Sequence, residues 1–160
     1  MRTVSLEMAS LLTGRSRRTW WRRISDGSVT RVEGDARGRA RLSLDDVVPH
    51  LPGTFDALDV ELIIEADNGD ASALNDLGQA LAMLGMYGGA KECWEVAAAK
   101  GHPDAMQSLG SLYVTGKADD GKDINTGIMW IAKAAAAGHL IAKEQMRRLY
   151  SDAIPLKSNQ

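Results

Sequence analysis

The sequence predicts a mainly α protein in two parts. A small helix-turn-helix with a two-stranded β-hairpin occupies residues 1–52, and an α-α helical-repeat solenoid occupies residues 53–160. Three observations predict this. Two short capped apolar segments meet at a glycine, two alternating segments flank a turn-rich loop, and a glycine–alanine pattern recurs through the second part.

The elements follow in order. Ser5 is placed to cap a first helix through Leu6, Met8, Ala9, Leu11 and Leu12, with Gly14 stopping it. Ser16 caps a second helix, which runs past Ile24 towards Gly27. Two short helices joined by a tight glycine-containing turn make a helix-turn-helix. Val29–Val32 and Arg39–Leu42 then alternate apolar and polar residues, as half-exposed strands do, around the loop EGDARG at 33–38. That is a hairpin, or wing, so the domain is a winged helix-turn-helix. Ser43 caps a further helix through Asp45, Asp46 and Val47 to Leu51. Pro49, Pro52 and Gly53 mark a boundary near residues 49–55.

The second part repeats itself. Gly69, Gly101 and Gly138 are each followed four residues later by an alanine, Ala73, Ala105 and Ala142. Four further on stand Leu77, Leu109 and Met146. Gly78 and Gly110 come next, and Arg147 breaks the pattern. Ala66, Ala98 and Ala135 lie three before the glycines, and Cys93 and Ala90 match Trp130 and Gly127. The repeats differ by an insertion near GKADDGKD at 116–123, a loop position. Small residues at fixed positions let paired helices approach closely, as a stacked helical hairpin requires.

Charge divides at the same boundary. Residues 1–50 carry ten arginines, no lysine and six acids, for +4. Residues 51–160 carry −6, and the whole chain −2. The basic half points to an anionic partner. The densest segment, GRSRRTWWRRI at 14–24, holds five arginines and two tryptophans. On a helical wheel Trp20 and Ile24 share one face, and Arg18 and Arg22 share the opposite one. Trp21 flanks the arginine face and Arg23 the apolar face. One tryptophan is core and either can fill that place; Trp21 packs on a neighbouring element or lies along a DNA backbone. The expected DNA-contacting set is Arg15, Arg17, Arg18, Trp21 and Arg22 on the helix and its approach, with Arg31, Arg37, Arg39 and Arg41 on the wing.

Two resemblances sharpen these expectations. The residues M-A-x-L-L-x-G-x-S-x-R-T-x-x-R-x-I-x-x-G (Met8 to Gly27) and G-R-x-R-L-S-x-x-D-V (Gly38 to Val47) resemble the MerR-like winged helix-turn-helix of phage excisionases and related regulators. The chain departs from that pattern at Trp20 and Arg23. A-x-x-x-L-G-x-L-Y-x-x-G (Ala105 to Gly116) and W-I-x-K-A-A-x-x-G-H (Trp130 to His139) resemble the Sel-one family of tetratricopeptide-like repeats, over about residues 57–150. The first resemblance implies sequence-specific binding of double-stranded DNA, by a transcriptional regulator, a DNA-bound adaptor or a recombination factor, commonly as a dimer. The second implies a surface that binds a protein partner or a second copy. The competing reading is an adaptor or inhibitor whose basic domain docks on an acidic protein.

Chemistry has few candidates. His50, His102 and His139 lack metal-ligand spacing, and Cys93 has no histidine beside it. Asp119, Asp120 and Asp123 lack the alternation and terminal glutamate of a helix-loop-helix calcium site. No nucleophile, phosphate-loop or metalloprotease motif is present, so no enzyme activity, metal or cofactor is expected. The single cysteine gives no intrachain disulfide, and the longest apolar run, Ile128–Ala142, contains Lys133 and His139 and is too short to span a bilayer. With no signal peptide read at the start, a cytoplasmic protein without membrane association is expected.

Overall fold

The computed structural model describes residues 2–32, 34, 38, 40–53, 57–118 and 121–153. The protein is mainly α, with a small three-stranded antiparallel sheet near its start. It divides into two compact units, residues 1–93 and 94–160.

The first unit opens with a strand that the sequence reading does not contain, β1 (Thr3–Ser5). It leads directly into α1 (Leu6–Thr13). The Ser5 hydroxyl accepts from the Met8 amide, and Gly14, at φ 65°, ends the helix as expected. Ser16 accepts from Thr19 N–H to start α2 (Arg17–Ser25), which Asp26 and Gly27 close. β2 (Arg31–Val32) and β3 (Arg41–Ser43) follow, and β3 lies at the centre of the sheet between β1 and β2. The expected hairpin is therefore one edge of a larger sheet. A three-residue strand such as Thr3–Ser5 has no periodicity to read and exists because β3 pairs with it, Val4 opposite Leu42. Most of the EGDARG loop, with Arg37 and Arg39, lies outside the described residues.

Ser43 precedes α3 (Leu44–Val47) but makes no side-chain capping bond. Pro49 then tightens the chain into a 3-10 turn, Val48–His50, where the sequence alone predicts a continuous helix to Leu51. The core of this part is Val4, Leu6, Met8, Ala9, Leu12, Trp20, Val29, Leu42, Leu44 and Val47.

α4 (Ala57–Asp67) and α5 (Ala71–Met83) complete most of the first unit. α4 docks on the sheet through its last residue. The buried Asp67 carboxylate accepts from the Ser5 amide at 2.9 Å and the Ser5 hydroxyl at 2.5 Å, and pairs with Arg41 Nη2 at 3.1 Å. α6 (Tyr87–Ala99) begins in this unit, and Gly89 has no room for a Cβ, which would sit 2.9 Å from the Leu11 carbonyl oxygen.

The second unit holds α7 (Pro103–Thr115), α8 (Ile124–Ala136) and α9 (Leu140–Ala153). α7 packs on α8 and α8 on α9, around Ile131, Ala134 and Ala142 with Met106, Val114 and Met146. α7 and α8 meet backbone to backbone. A Cβ on Gly110 would stand 2.8 Å from the Gly127 carbonyl oxygen, and one on Gly127 would stand 2.8 Å from that of Gly110.

The repeated glycine–alanine spacing has a common local geometry. Gly69, Gly101 and Gly138 all have φ near 90° and donate to Ala66, Ala98 and Ala135. The next residue caps the following helix: Asp70 accepts from Ala73 N–H at 2.8 Å, His102 from Ala105 at 3.4 Å and His139 from Ala142 at 3.1 Å. The alanine four residues after the glycine is buried each time. Among the described residues no helix is long and apolar enough to cross a membrane.

Candidate nucleic-acid interface

α2 is short, and burial orients it. Trp20 is completely buried and Trp21 is 43 % exposed, which decides between the two tryptophans. Trp20 packs edge-on to His50, with ring centroids 5.7 Å apart. Arg23 lies on the same side, where its Nη1 donates to His50 Nε2 at 3.0 Å. A guanidinium has only donors, so His50 presents a lone pair there and is neutral. Burial, and then the charges of Arg23 and Arg15, push the His50 pKa below its ordinary value. Arg23 is thereby committed to the back of the helix, as the wheel requires. The sequence offers no sign of this contact, because 27 residues separate His50 from Arg23.

With Trp20 inward, the other side of α2 faces solvent. Arg18 and Arg22 are exposed, and Arg15 stands exposed on the turn before the helix. None of these three makes an ion pair among the described residues. Arg17 is also exposed and lies 3.6 Å from Glu7 of α1. The helix itself, RRTWWRRIS, contains no acid. Like charges this close repel, and together they make a local positive field.

The wing contributes differently from the expectation. The alternation makes Arg31 and Arg41 equivalent outward positions. The register instead pairs Arg31 with Leu42 and Val32 with Arg41, which puts the two arginines on opposite faces of the sheet. Arg31 is exposed and its Cζ lies 5.5 Å from the centre of the Trp21 ring. Arg41 does not join this surface. Its side chain is only 15 % exposed, donates from Nε and Nη2 to Thr3, and pairs with Asp67. Arg41 therefore serves the fold, and its Asp67 partner sits 26 positions away, beyond what strand alternation can indicate. Arg15, Arg17, Arg18, Trp21, Arg22 and Arg31 remain as exposed members of the expected set; Arg37 and Arg39 lie outside the described residues.

The turn from α2 to β2 is fixed locally. The Ser28 amide donates to Asp26, whose carboxyl is held below the usual range by that residue's side-chain and backbone hydrogen bonds. Thr30 N–H donates to Asp46 of α3 at 2.7 Å, and Val29 is buried. Val29 N–H also donates to the Arg23 carbonyl at 3.1 Å, which ties the chain leading into β2 to the end of α2.

Other candidate groups have structural places. Cys93 is fully buried, and burial together with Glu92 pushes its thiol up to about 12, so it carries no reactive thiolate at neutral pH. Asp123 caps α8 through Thr126 N–H; Asp119 and Asp120 lie outside the described residues. Among the described residues no three acids, histidines or cysteines gather as metal ligands do.

The chain matches no family model, and neither curated proteins nor solved structures are significantly similar to it.

Proposed function

We propose that this protein binds double-stranded DNA sequence-specifically and acts as a transcriptional regulator or DNA-bound adaptor. In this reading residues 1–52 work as a MerR-like winged helix-turn-helix. The helices from residue 53 onward work as Sel-one-like repeats that bind a protein partner or a second copy of the chain. One observation carries it: Arg18 and Arg22 project from a helix whose opposite face is pinned by the fully buried Trp20. A helix so anchored is narrow enough for a major groove, and its arginines suit bidentate contact with guanine. The glycine-ended, capped helices and the backbone-to-backbone crossing at Gly110 and Gly127 support the repeat assignment.

The test is selection of bound duplexes by the full-length protein, followed by titration against salt. With ~4–6 phosphates contacted, log K should fall with log salt at a slope of about −4 to −5. Arg18→Ala and Arg22→Ala should each relax base choice at one position by ~1–3 kcal/mol. Equal binding to heparin and duplex, with no enriched sequence, would overturn the reading. Binding to an acidic protein surface that duplex DNA fails to displace would support the adaptor reading instead.

A further inference from the structure

Trp21 is not explained by packing. Trp20 fills the core position of α2, while 43 % of Trp21 remains exposed among arginines. A single exposed aromatic is ordinary on a protein surface, so what distinguishes Trp21 is its neighbour. The partner on the same unit is Arg31, whose guanidinium lies over the indole ring with Cζ 5.5 Å from its centre. That spacing is within cation–π range. The pair also bridges two elements, since Trp21 belongs to α2 and Arg31 to the edge strand β2.

We infer that Trp21 is a positioning residue that holds Arg31 for a phosphate of duplex DNA, so that the two side chains act as one contact joining the helix to the strand. This rests on the DNA-binding reading above and names how one part of that surface works. A guanidinium lying on an aromatic face keeps its in-plane N–H donors free, which is the edge that grips a phosphate. Held there, the arginine loses less freedom on binding than one that is free to rotate. The indole thus sets where the charge sits without touching the nucleic acid chemistry itself.

The experiment uses the full chain and a short duplex of mixed sequence, with affinity followed across a salt series. Arg31→Ala should reduce the steepness of the log K against log salt line by about one, the loss of one phosphate contact. Trp21→Ala removes no charge, yet it should reduce the slope by about the same amount. The double variant should lose no more than either single one, and Trp21→Phe, which keeps an aromatic face, should restore the wild-type slope. Melting curves establish that each variant is folded; if Trp21→Ala is not, Trp21→Leu carries the same expectation, because it keeps apolar bulk without a π face. A folded Trp21→Ala or Trp21→Leu protein with an unchanged slope overturns the inference, as does a double variant in which the two losses add. If the wild type binds no duplex at all, the DNA reading fails first and this inference falls with it.

Discussion

Replacing Asp67 tests the logic of the first unit more severely than replacing any core aliphatic. Its carboxylate takes three donors: Ser5 N–H at 2.9 Å, Ser5 O–H at 2.5 Å and Arg41 Nη2 at 3.1 Å. Asp67→Ala strands the amide and hydroxyl of Ser5, a residue only 1 % exposed. An unsatisfied buried donor costs about 1–3 kcal/mol. It also leaves Arg41 without its counter-charge, and breaking a buried pair from one side costs ~3–5 kcal/mol. Arg41 moderates that figure, because it is 15 % exposed and keeps its bonds to Thr3. The two terms overlap, so the expected total is about 3 kcal/mol. Asp67→Asn keeps the shape and one acceptor and should cost roughly half as much. Urea denaturation followed by circular dichroism measures the loss. Amide exchange at Met8, whose N–H is held by the Ser5 hydroxyl, locates it in α1. A cost below ~1 kcal/mol for Asp67→Ala would refute the view that this carboxylate joins α4 to the sheet. The same reasoning holds that a fragment ending at residue 52, lacking Asp67, melts well below the full protein.

Two further outcomes follow from contacts already described. The folded protein holds His50 neutral, with a pKa below its ordinary 6.5, so the unfolded chain takes up this proton first as the pH falls. The His50 contribution is therefore complete above about pH 6.5 and is lost as the pH drops through the lowered folded value; His50→Gln should remove that part of the acid-side decline in a melting-temperature series, and an unchanged decline would exclude His50 as its source. Gly110→Ala places a methyl 2.7 Å from Ile131 Cγ1 and 2.8 Å from the Gly127 carbonyl, which should cost ~2 kcal/mol of overpacking, or about 4–8 °C by calorimetry, whereas Gly121→Ala meets no neighbouring atom and is limited by its φ of 76°.

What was legible in the sequence was local. Ser5 and Ser16 announce helix starts because a capping side chain acts within three residues of itself, although Ser43, expected on the same ground, makes no such bond. Gly14 announces a stop because a left-handed turn follows one helix end. The opposition of Trp20 to Arg18 and Arg22 follows from helical pitch alone. The competition between Trp20 and Trp21 did not, because both are aromatic and adjacent, and only the surrounding core selects one. The Ser5–Asp67 bond spans 62 residues, Arg41–Thr3 spans 38 and Arg23–His50 spans 27. No periodicity carries such pairings. That is why Arg41 reads as one more outward arginine of the wing, although its charge is committed to Asp67. The short strand Thr3–Ser5 was hidden for the same reason, since its partner lies on β3.

The repeats show how one broken position can matter more than those that conform. Arg147 of α9 corresponds to Gly110 of α7, the place where α7 admits the backbone of α8. Gly110 and Gly127 touch with no space for a Cβ on either. At the corresponding point α9 carries a guanidinium, 65 % exposed and bonded twice to Glu144, which also holds Arg148. Those bonds hold the Glu144 carboxyl down at about 2 and give the three side chains a common arrangement on the surface. A helix cannot dock on α9 as α8 docks on α7, whatever chain supplies it, because the arginine occupies the contact. The two helices also differ two residues further on. Leu112 of α7 is 5 % exposed, whereas its counterpart Leu149 is 43 % exposed and Tyr150 beside it 64 %. Any helix laid over Leu149 and Tyr150 would therefore approach α9 at a wider spacing, with large side chains in the gap.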